Sequence, residues 1–348
     1  MSLMRPPANF PRHRLTCLAF TLVTLVLGLA SARADDWPQW LGPQRDGVWR
    51  EKGILRQFPE GGPRIRWRTS IQGGYAGPAI ANGKVYVTDR VLDPGESDPD
   101  NPFRRSNSRG KERVLCLDEA TGKILWTHDY PCTYRISYGY GPRTTPVVHE
   151  GKVYTLGAMG NLVCLDGQSG NPVWTRDFMK DYGARTQQWG FAAHPLIDGN
   201  KLICLVGGEG SVAVAFNKDT GKEIWRALTS EVGQGYCPPM IYEAGGKRQL
   251  IIWHPQAVAS LDPETGKTYW TVPFRARANL SIPTPRLDDN HLFVTSFYNG
   301  SLMLELSQDR PAARELWRSH SRSERPEFTT KLHSIMCTPY MKDGYIYG

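Results

Sequence analysis

The sequence predicts an all-β chain, a β-propeller of four-stranded antiparallel blades, and three observations predict it. An eleven-residue stretch, first read at residues 116–126 as CLDEATGKILW, returns at 164–174, 215–225, 260–270 and, in worn form, at 307–317. Its tryptophans, Trp126, Trp174, Trp225, Trp270 and Trp317, stand 48, 51, 45 and 47 residues apart. Ahead of each copy lies a second strand–turn–strand pattern, as in residues 145–156, TPVVHEGKVYTL. A period near this length marks an array of like units. A four-stranded meander buries little by itself and must stack on neighbours, most economically as blades around a channel.

Each part of the repeat has a physical role. The apolar run before the turn, Val114 to Leu117 in the first copy, reads as a third strand, and the segment carrying the tryptophan as a fourth. Asp118, Asp166, Asn217, Asp262 and Asp309 stand eight residues before the tryptophan. A short side-chain oxygen there accepts from backbone N–H groups two or three residues on. Gly122, Gly170, Gly221 and Gly266 stand four before it and supply a positive φ, whereas the last copy has Ala313. An indole buries about 150–250 Å², worth roughly 4–6 kcal/mol. Placed once per unit, it fills the wedge between adjacent sheets.

The pattern A-x-D-x-x-T-G-x-x-x-W resembles the tryptophan motif of the pyrroloquinoline-quinone-like (PQQ-like) repeat propellers, over residues 63–348. That group includes quinoprotein alcohol dehydrogenases and the propeller subunit of the bacterial outer-membrane protein assembly machinery. The resemblance implies one of two activities: a dehydrogenase with PQQ and Ca²⁺ at the channel mouth and an Asp base, or a non-catalytic envelope scaffold. One fold hosts many functions, so the motif does not choose between them.

Residues 1–34 read as a secretory signal. Arg5, Arg12 and Arg14 precede an apolar run from Leu15 to Ala30, and Ala32-Arg33-Ala34 fits a cleavage site. The run is short for a spanning helix. Cys17 lies inside it, so a lipid anchor is unsupported. The formal charge of +8 falls to +4 without the four arginines of this segment, which gives no argument for nucleic acid. Of the remaining cysteines, Cys116, Cys164 and Cys204 read as buried small hydrophobes. Cys132, Cys237 and Cys337, near inter-unit connections, are free to pair in an oxidising compartment, with connectivity open.

Residues 35–62, with Trp37 and Trp40 among turn formers, are expected to wrap the outside of the ring. The alternating stretch around Trp67 is expected to close the last blade. Residues 91–112, acidic and proline-rich and then basic, read as an exposed, solvated loop. Residues 338–347 open a further unit and stop in its second strand, so the sequence reads as a ring cut within blade six.

The tight turns fall on one face, and the long connections, 131–144, 181–193, 231–237, 275–282 and 319–336, fall on the other with the 91–112 loop. Binding concentrates in long loops on a rigid scaffold. The candidate ligand or partner residues are Arg143, Gln187, Trp189, Gln234, Tyr236, Arg277, Asn279 and His333, an arginine-rich planar set suited to an anionic or carbohydrate ligand or to a protein partner. Their alternative role is to hydrogen-bond one another and fill the mouth. Ca²⁺ wants clustered oxygens, yet Asp181, Glu231, Glu324 and Glu327 are scattered. No Cys-Cys pair, C-x-x-C-H or G-x-S-x-G occurs. No catalytic or metal-binding residue is assigned. The reading is an exported, periplasmic or extracellular binding propeller, with a PQQ- and Ca²⁺-dependent dehydrogenase as the alternative.

Overall fold

A computed structural model describes residues 35–321, 323 and 325–348; the secretory-signal reading of 1–34 lies outside the described residues. The chain divides into two compact units. In the described part of the smaller one, residues 35 and 50–54, the Asp35 amide donates to Glu51 Oε1 at 2.6 Å.

The larger unit is built of β-blades. The first sheet comprises β1 (Ala79–Ala81), β2 (Lys84–Leu92), β3 (Gly110–Asp118) and β4 (Ile124–Pro131). The second comprises β5 (Val147–His149), β6 (Lys152–Leu156), β7 (Asn161–Asp166) and β8 (Pro172–Asp177), followed by the one-turn helix α1 (Phe178–Tyr182). The third holds β9 (Leu196–Asp198), β10 (Lys201–Leu205), β11 (Ala213–Asn217) and β12 (Glu223–Ala227), and the fourth β13 (Met240–Ala244), β14 (Lys247–His254), β15 (Ala257–Leu261) and β16 (Thr268–Pro273). The fifth holds β17 (Arg286–Asp288), β18 (His291–Ser296), β19 (Gly300–Leu306) and β20 (Ala313–Arg318), and β21 (Tyr340–Lys342) pairs with β22 (Tyr345–Tyr347). Every sheet is an antiparallel meander in chain order. Central strands such as β10 and β15 are buried throughout, while the fourth strands alternate with solvent. The core lies between sheets: Tyr154, Phe178, Leu202 and Phe216 join the second to the third, and Ile252 and Leu261 join Ala213 and Trp225.

The repeat works as a sheet-to-sheet joint. Asp118 Oδ1 accepts from the Thr121 amide at 2.8 Å, and Asp166 Oδ1, Asn217 Oδ1 and Asp262 Oδ1 do the same in their turns. Gly122, Gly170, Gly221 and Gly266 take φ between 68° and 74°. Gly170, Gly221 and Gly266 face the indole of the preceding sheet, and Gly122 faces that of Trp67. Trp126 Nε1 donates to the Gly167 carbonyl at 3.2 Å, Trp174 to Lys218 at 2.9 Å and Trp225 to Pro263 at 3.1 Å. Trp67 does likewise to Glu119 at 2.8 Å, so it packs on the first sheet as a preceding blade's tryptophan would.

The fifth copy departs from the sequence register. Met303 stands opposite Trp317, where Cys116 stands opposite Trp126. Leu304 and Leu306 are fully buried and carry the ladder onward, so Asp309 sits at the tip of a longer hairpin and bonds Ser307 Oγ. The eight-residue spacing thus misplaces Asp309. Arg310 instead presses its carbonyl towards Gly245. Trp270, denied the usual acceptor, donates to Gln249 Oε1 in its own sheet at 2.8 Å.

Two further expectations are corrected. The stretch 37–46 does not wrap the outside; it runs along the first strands. Trp37 bridges Ile80 with reciprocal bonds of 2.8 and 3.0 Å, and Pro38 accepts from the Val148 amide at 2.8 Å. Arg45, 4% exposed, donates to the carbonyls of Pro195 at 2.9 Å and Pro239 at 3.3 Å, and Arg286 donates to Asp46 O at 3.0 Å. Those strands have one unpaired edge each, and buried backbone groups need partners; this segment supplies them. The cysteines for which pairing was open are unpaired: Cys132 and Cys237 are buried and free, and Cys337 is exposed and free.

Candidate functional site: the long-connection face

Strands β2 and β3 are longer than their counterparts, which leaves a loop of 93–109. It is exposed along most of its length, as expected, and it is also pinned. Buried Arg90 donates to Asp98 Oδ1 at 3.0 Å, to Gly139 O at 2.6 Å and to Ser108 O at 2.9 Å. Arg109 pairs with Glu96 at 2.9 Å. Charges that look like a solvated run in sequence therefore partly cancel within the loop and tie it to the next connection.

The connections also tie to one another. The Ser137 amide donates to Gln188 O at 2.7 Å. Gln187 donates to Val232 O at 3.0 Å and accepts from the Gly235 amide at 3.1 Å. The Tyr236 amide donates to Ser281 O at 3.0 Å, and Asn279 Nδ2 reaches Val232 O at 2.7 Å. The interlocking alternative set out from sequence therefore describes Gln187 and Asn279.

The other candidates divide. Arg143 donates to the carbonyls of Gly141, Ser137 and Tyr138, and its guanidinium lies 5.3 Å from the Tyr75 ring centroid. Burial pulls its pKa down, partly offset by Tyr134 and Tyr75. Trp189 meets Tyr236 edge to face at 6.0 Å. Burial pushes the Tyr236 phenol up to about 12, with the Trp189 amide, Arg143 and Arg105 acting the other way. Gln234 is 1% exposed, and neither atom of its amide has a hydrogen-bond partner. Arg277 is exposed, 5.2 Å from the Tyr298 centroid. His333 stands apart, 3.2 Å from Phe297 O, its pKa lowered by burial.

Sequence reasoning missed two groups. Glu112, 1% exposed, accepts from the Tyr130 and Tyr134 hydroxyls and from the Ala158 amide at 2.9 Å. This carboxylate is sealed between sheets, and burial pushes both phenols well up. The other is Tyr75 with Phe103, which join Tyr138 and Tyr140 of the first long connection in an open aromatic cluster. The glycines flanking Tyr75 were the available signal.

The side chains of this face do not assemble a Ca²⁺ site. Among the described residues no three His, Cys, Asp or Glu groups converge as metal ligands. The amide oxygen of Gln187 is already engaged, and the Arg143 guanidinium is a cation, which opposes Ca²⁺ beside it. A cleft of about 720 Å³ opens on the other, tight-turn side, between His149, Glu150, Asn200 and the 38–43 stretch. Its central charges neutralise one another, Lys218 Nζ meeting Glu150 at 2.6 Å. No described helix is long and apolar enough to cross a membrane.

The family model described as outer membrane protein assembly factor BamB matches residues 110–347. Among solved structures the chain is similar to quinohemoprotein alcohol dehydrogenase from Comamonas testosteroni, at 16% identity and a TM-score of 0.51, over 81% of this chain and 49% of that one. It is also similar to BamB from Moraxella catarrhalis, at 15% identity and a TM-score of 0.46, over 72% and 74%. The chain thus spans about half the length of the dehydrogenase, and that likeness shows the fold alone. None of the curated proteins matches the sequence. With tryptophan-to-glycine joints repeated between blades and a family match over more than two thirds of its length, the chain belongs to the PQQ-like repeat propeller family that includes outer membrane protein assembly factor BamB.

Proposed function

We propose that this chain is a non-catalytic binding or scaffold protein of the periplasm or cell envelope, exported on residues 1–34, that works through its long-connection face. The observation that carries this reading is the interlocking of connections 131–144, 181–193, 231–237 and 275–282 through Gln188, Gln187, Val232 and Ser281. Side chains that brace neighbouring loops make a rigid presenting surface, which lowers the entropy lost on binding. They do not make a set of convergent acids and bases. The description of the matching family, an outer membrane protein assembly factor, supports an envelope location and a protein or peptide partner.

Adding PQQ and Ca²⁺ to the purified protein tests it. After desalting, no quinone absorbance should remain and no alcohol- or sugar-dependent dye reduction should follow. Retained quinone with substrate-dependent turnover overturns the scaffold reading. Capture of one envelope protein that is lost on Trp189→Ala and Arg277→Ala supports it.

A further inference from the structure

One end of the long-connection face carries open aromatic rings. Tyr75, Phe103 and Tyr140 are 47%, 62% and 63% exposed, and a contiguous apolar patch on a protein surface generally marks a contact site. The rings are joined edge to face. Phe103 and Tyr138 stand 5.2 Å apart, Tyr75 and Tyr138 6.5 Å, and Tyr75 and Tyr140 6.4 Å.

Their base is rigid. The Tyr75 and Ala76 amides both donate to Pro142 O, at 2.8 and 3.1 Å. Gly73 and Gly141 let the two segments touch: a Cβ on Gly73 would lie 2.5 Å from Tyr140 O, and one on Gly141 2.3 Å from Gly73 O. The cluster is therefore a preorganised surface and not the tip of a loose loop.

The loops that carry the rings also carry two exposed arginines, and the Asp98 carboxylate beside Gly139 is engaged by Arg90 and Ser108. Arg105 shares the Phe103 loop and donates to Arg135 O at 3.4 Å. Both arginines are exposed, and neither has a carboxylate partner among the described residues. Exposed rings, and exposed guanidinium forks on the same two loops, match a ligand with apolar C–H faces, hydroxyls and regularly spaced carboxylates. The sugar rings of a uronic-acid chain stack through their C–H faces on aromatic rings, and a guanidinium binds each carboxylate in bidentate fashion. Strand addition by a peptide needs an open backbone edge. Here the backbone is engaged, the Ser106 amide on Ile136 O and the Tyr138 amide on Pro102 O.

We propose that the Tyr75–Phe103–Tyr140 cluster, with Arg105 and Arg135, is a binding site for an acidic polysaccharide built of uronic acids. This goes beyond the scaffold reading and rests on it only in taking the same face as a binding face.

The test is calorimetry on the full chain with three probes: a hexameric oligogalacturonate, its methyl ester and hexaglutamate. The oligogalacturonate should bind, and the ester should bind at least tenfold more weakly. Phe103→Ala, Tyr140→Ala and Arg105→Gln should each weaken binding tenfold or more, while Lys222→Gln in a tight turn should not. Unchanged melting temperatures should accompany these losses, since Phe103 and Tyr140 are exposed. Absence of oligogalacturonate binding, or binding that Phe103→Ala and Arg105→Gln leave intact, overturns the proposal. Equal binding of hexaglutamate, lost in the same variants, overturns the sugar assignment while sparing the binding face. Failure of all three probes in a protein that takes up PQQ and turns over overturns both readings.

Discussion

The indole of Trp126 lies against Gly170 of the following sheet: a Cβ on that glycine would stand 2.6 Å from the ring, and Trp126 Nε1 donates to the nearby Gly167 carbonyl at 3.2 Å. Gly170 also has φ +74°. Alanine there meets two costs, about 1–2 kcal/mol for the left-handed backbone and about 1–3 kcal/mol for displacing the ring. Gly151 has the same φ, +74°, but a methyl group on it would meet nothing within 4 Å. Gly170→Ala should therefore lose about 2–5 kcal/mol in denaturant unfolding and Gly151→Ala about 1–2 kcal/mol. Equal losses would show that the indole contact contributes nothing.

Gln249 takes over where the fifth hairpin breaks the pattern. Its buried amide accepts from Trp270 Nε1 and Ser260 Oγ, each at 2.8 Å, and donates to Ala244 O at 2.8 Å. Removing it leaves three buried groups unpaired, at about 1–3 kcal/mol each before relaxation. A double-mutant cycle of Gln249→Ala with Trp270→Phe should give a coupling of about 1 kcal/mol. The same cycle with Trp225→Phe should give none, since Trp225 bonds Pro263 O in the next sheet. A vanishing Gln249–Trp270 coupling would refute the substitution of one acceptor for the other.

What the sequence made legible is what one repeat dictates by itself. The spacing from Trp126 back to Gly122 and Asp118 describes one hairpin, and its repetition implies stacked blades, so fold and joint follow together. The worn copy was misread because two hairpin registers compete there, and the choice turns on burial of Leu304 and Leu306 in a neighbouring sheet. The path of 37–46 was illegible for a related reason. Trp37, Pro38 and Arg45 suit an outer groove as well as an inner one, and only the open edges of β1 and β5, assembled in three dimensions, decide it. At the mouth, the arginines and glutamines were legible as polar, but whether Gln187 faces a ligand or Val232 depends on how adjacent blades are spaced.

Arg45 should be a larger determinant of stability than its place in a turn-rich leader suggests. Its guanidinium is buried without a carboxylate and satisfies carbonyls of Pro195, His194 and Pro239. Burial lowers its pKa to about 10, with Tyr242 and Cys237 opposing. Replacement by methionine relieves the desolvation of a charge but orphans those carbonyls, at about 1–3 kcal/mol each. Arg45→Met should lose about 2–4 kcal/mol in thermal or denaturant unfolding. It should also expose 36–49 to proteolysis in the native state. Unchanged stability and protection would mean that the stretch rests on the first strands without bracing them.

His194 should make the fold acid-sensitive well above the carboxylate range. Trp40 stacks on its ring at 4.1 Å and 3°, and its Nδ1 accepts from the Thr145 amide at 2.9 Å, a bond that requires an unprotonated nitrogen. Burial, and then the neighbouring Arg45 charge, push its pKa down to about 3. The folded state thus binds this proton less readily than the unfolded chain does. Its contribution is complete above the ordinary imidazole value near 6.5 and is lost as pH falls from there towards 3. At about 1.4 kcal/mol per pH unit, His194 alone should remove roughly 3 kcal/mol between pH 6.5 and pH 4. His254, lowered to about 4 by burial, acts in the same direction, as do His128 and His333. The motif carboxylates Asp118 and Asp166, lowered by their turn hydrogen bonds, lose their contribution only below about pH 3.8. The discriminating quantity is therefore a difference in slope. Plots of unfolding free energy against pH for the wild type and His194→Gln should converge as pH falls from 6.5 to 4, because the variant lacks this proton uptake; parallel plots would place the imidazole in water.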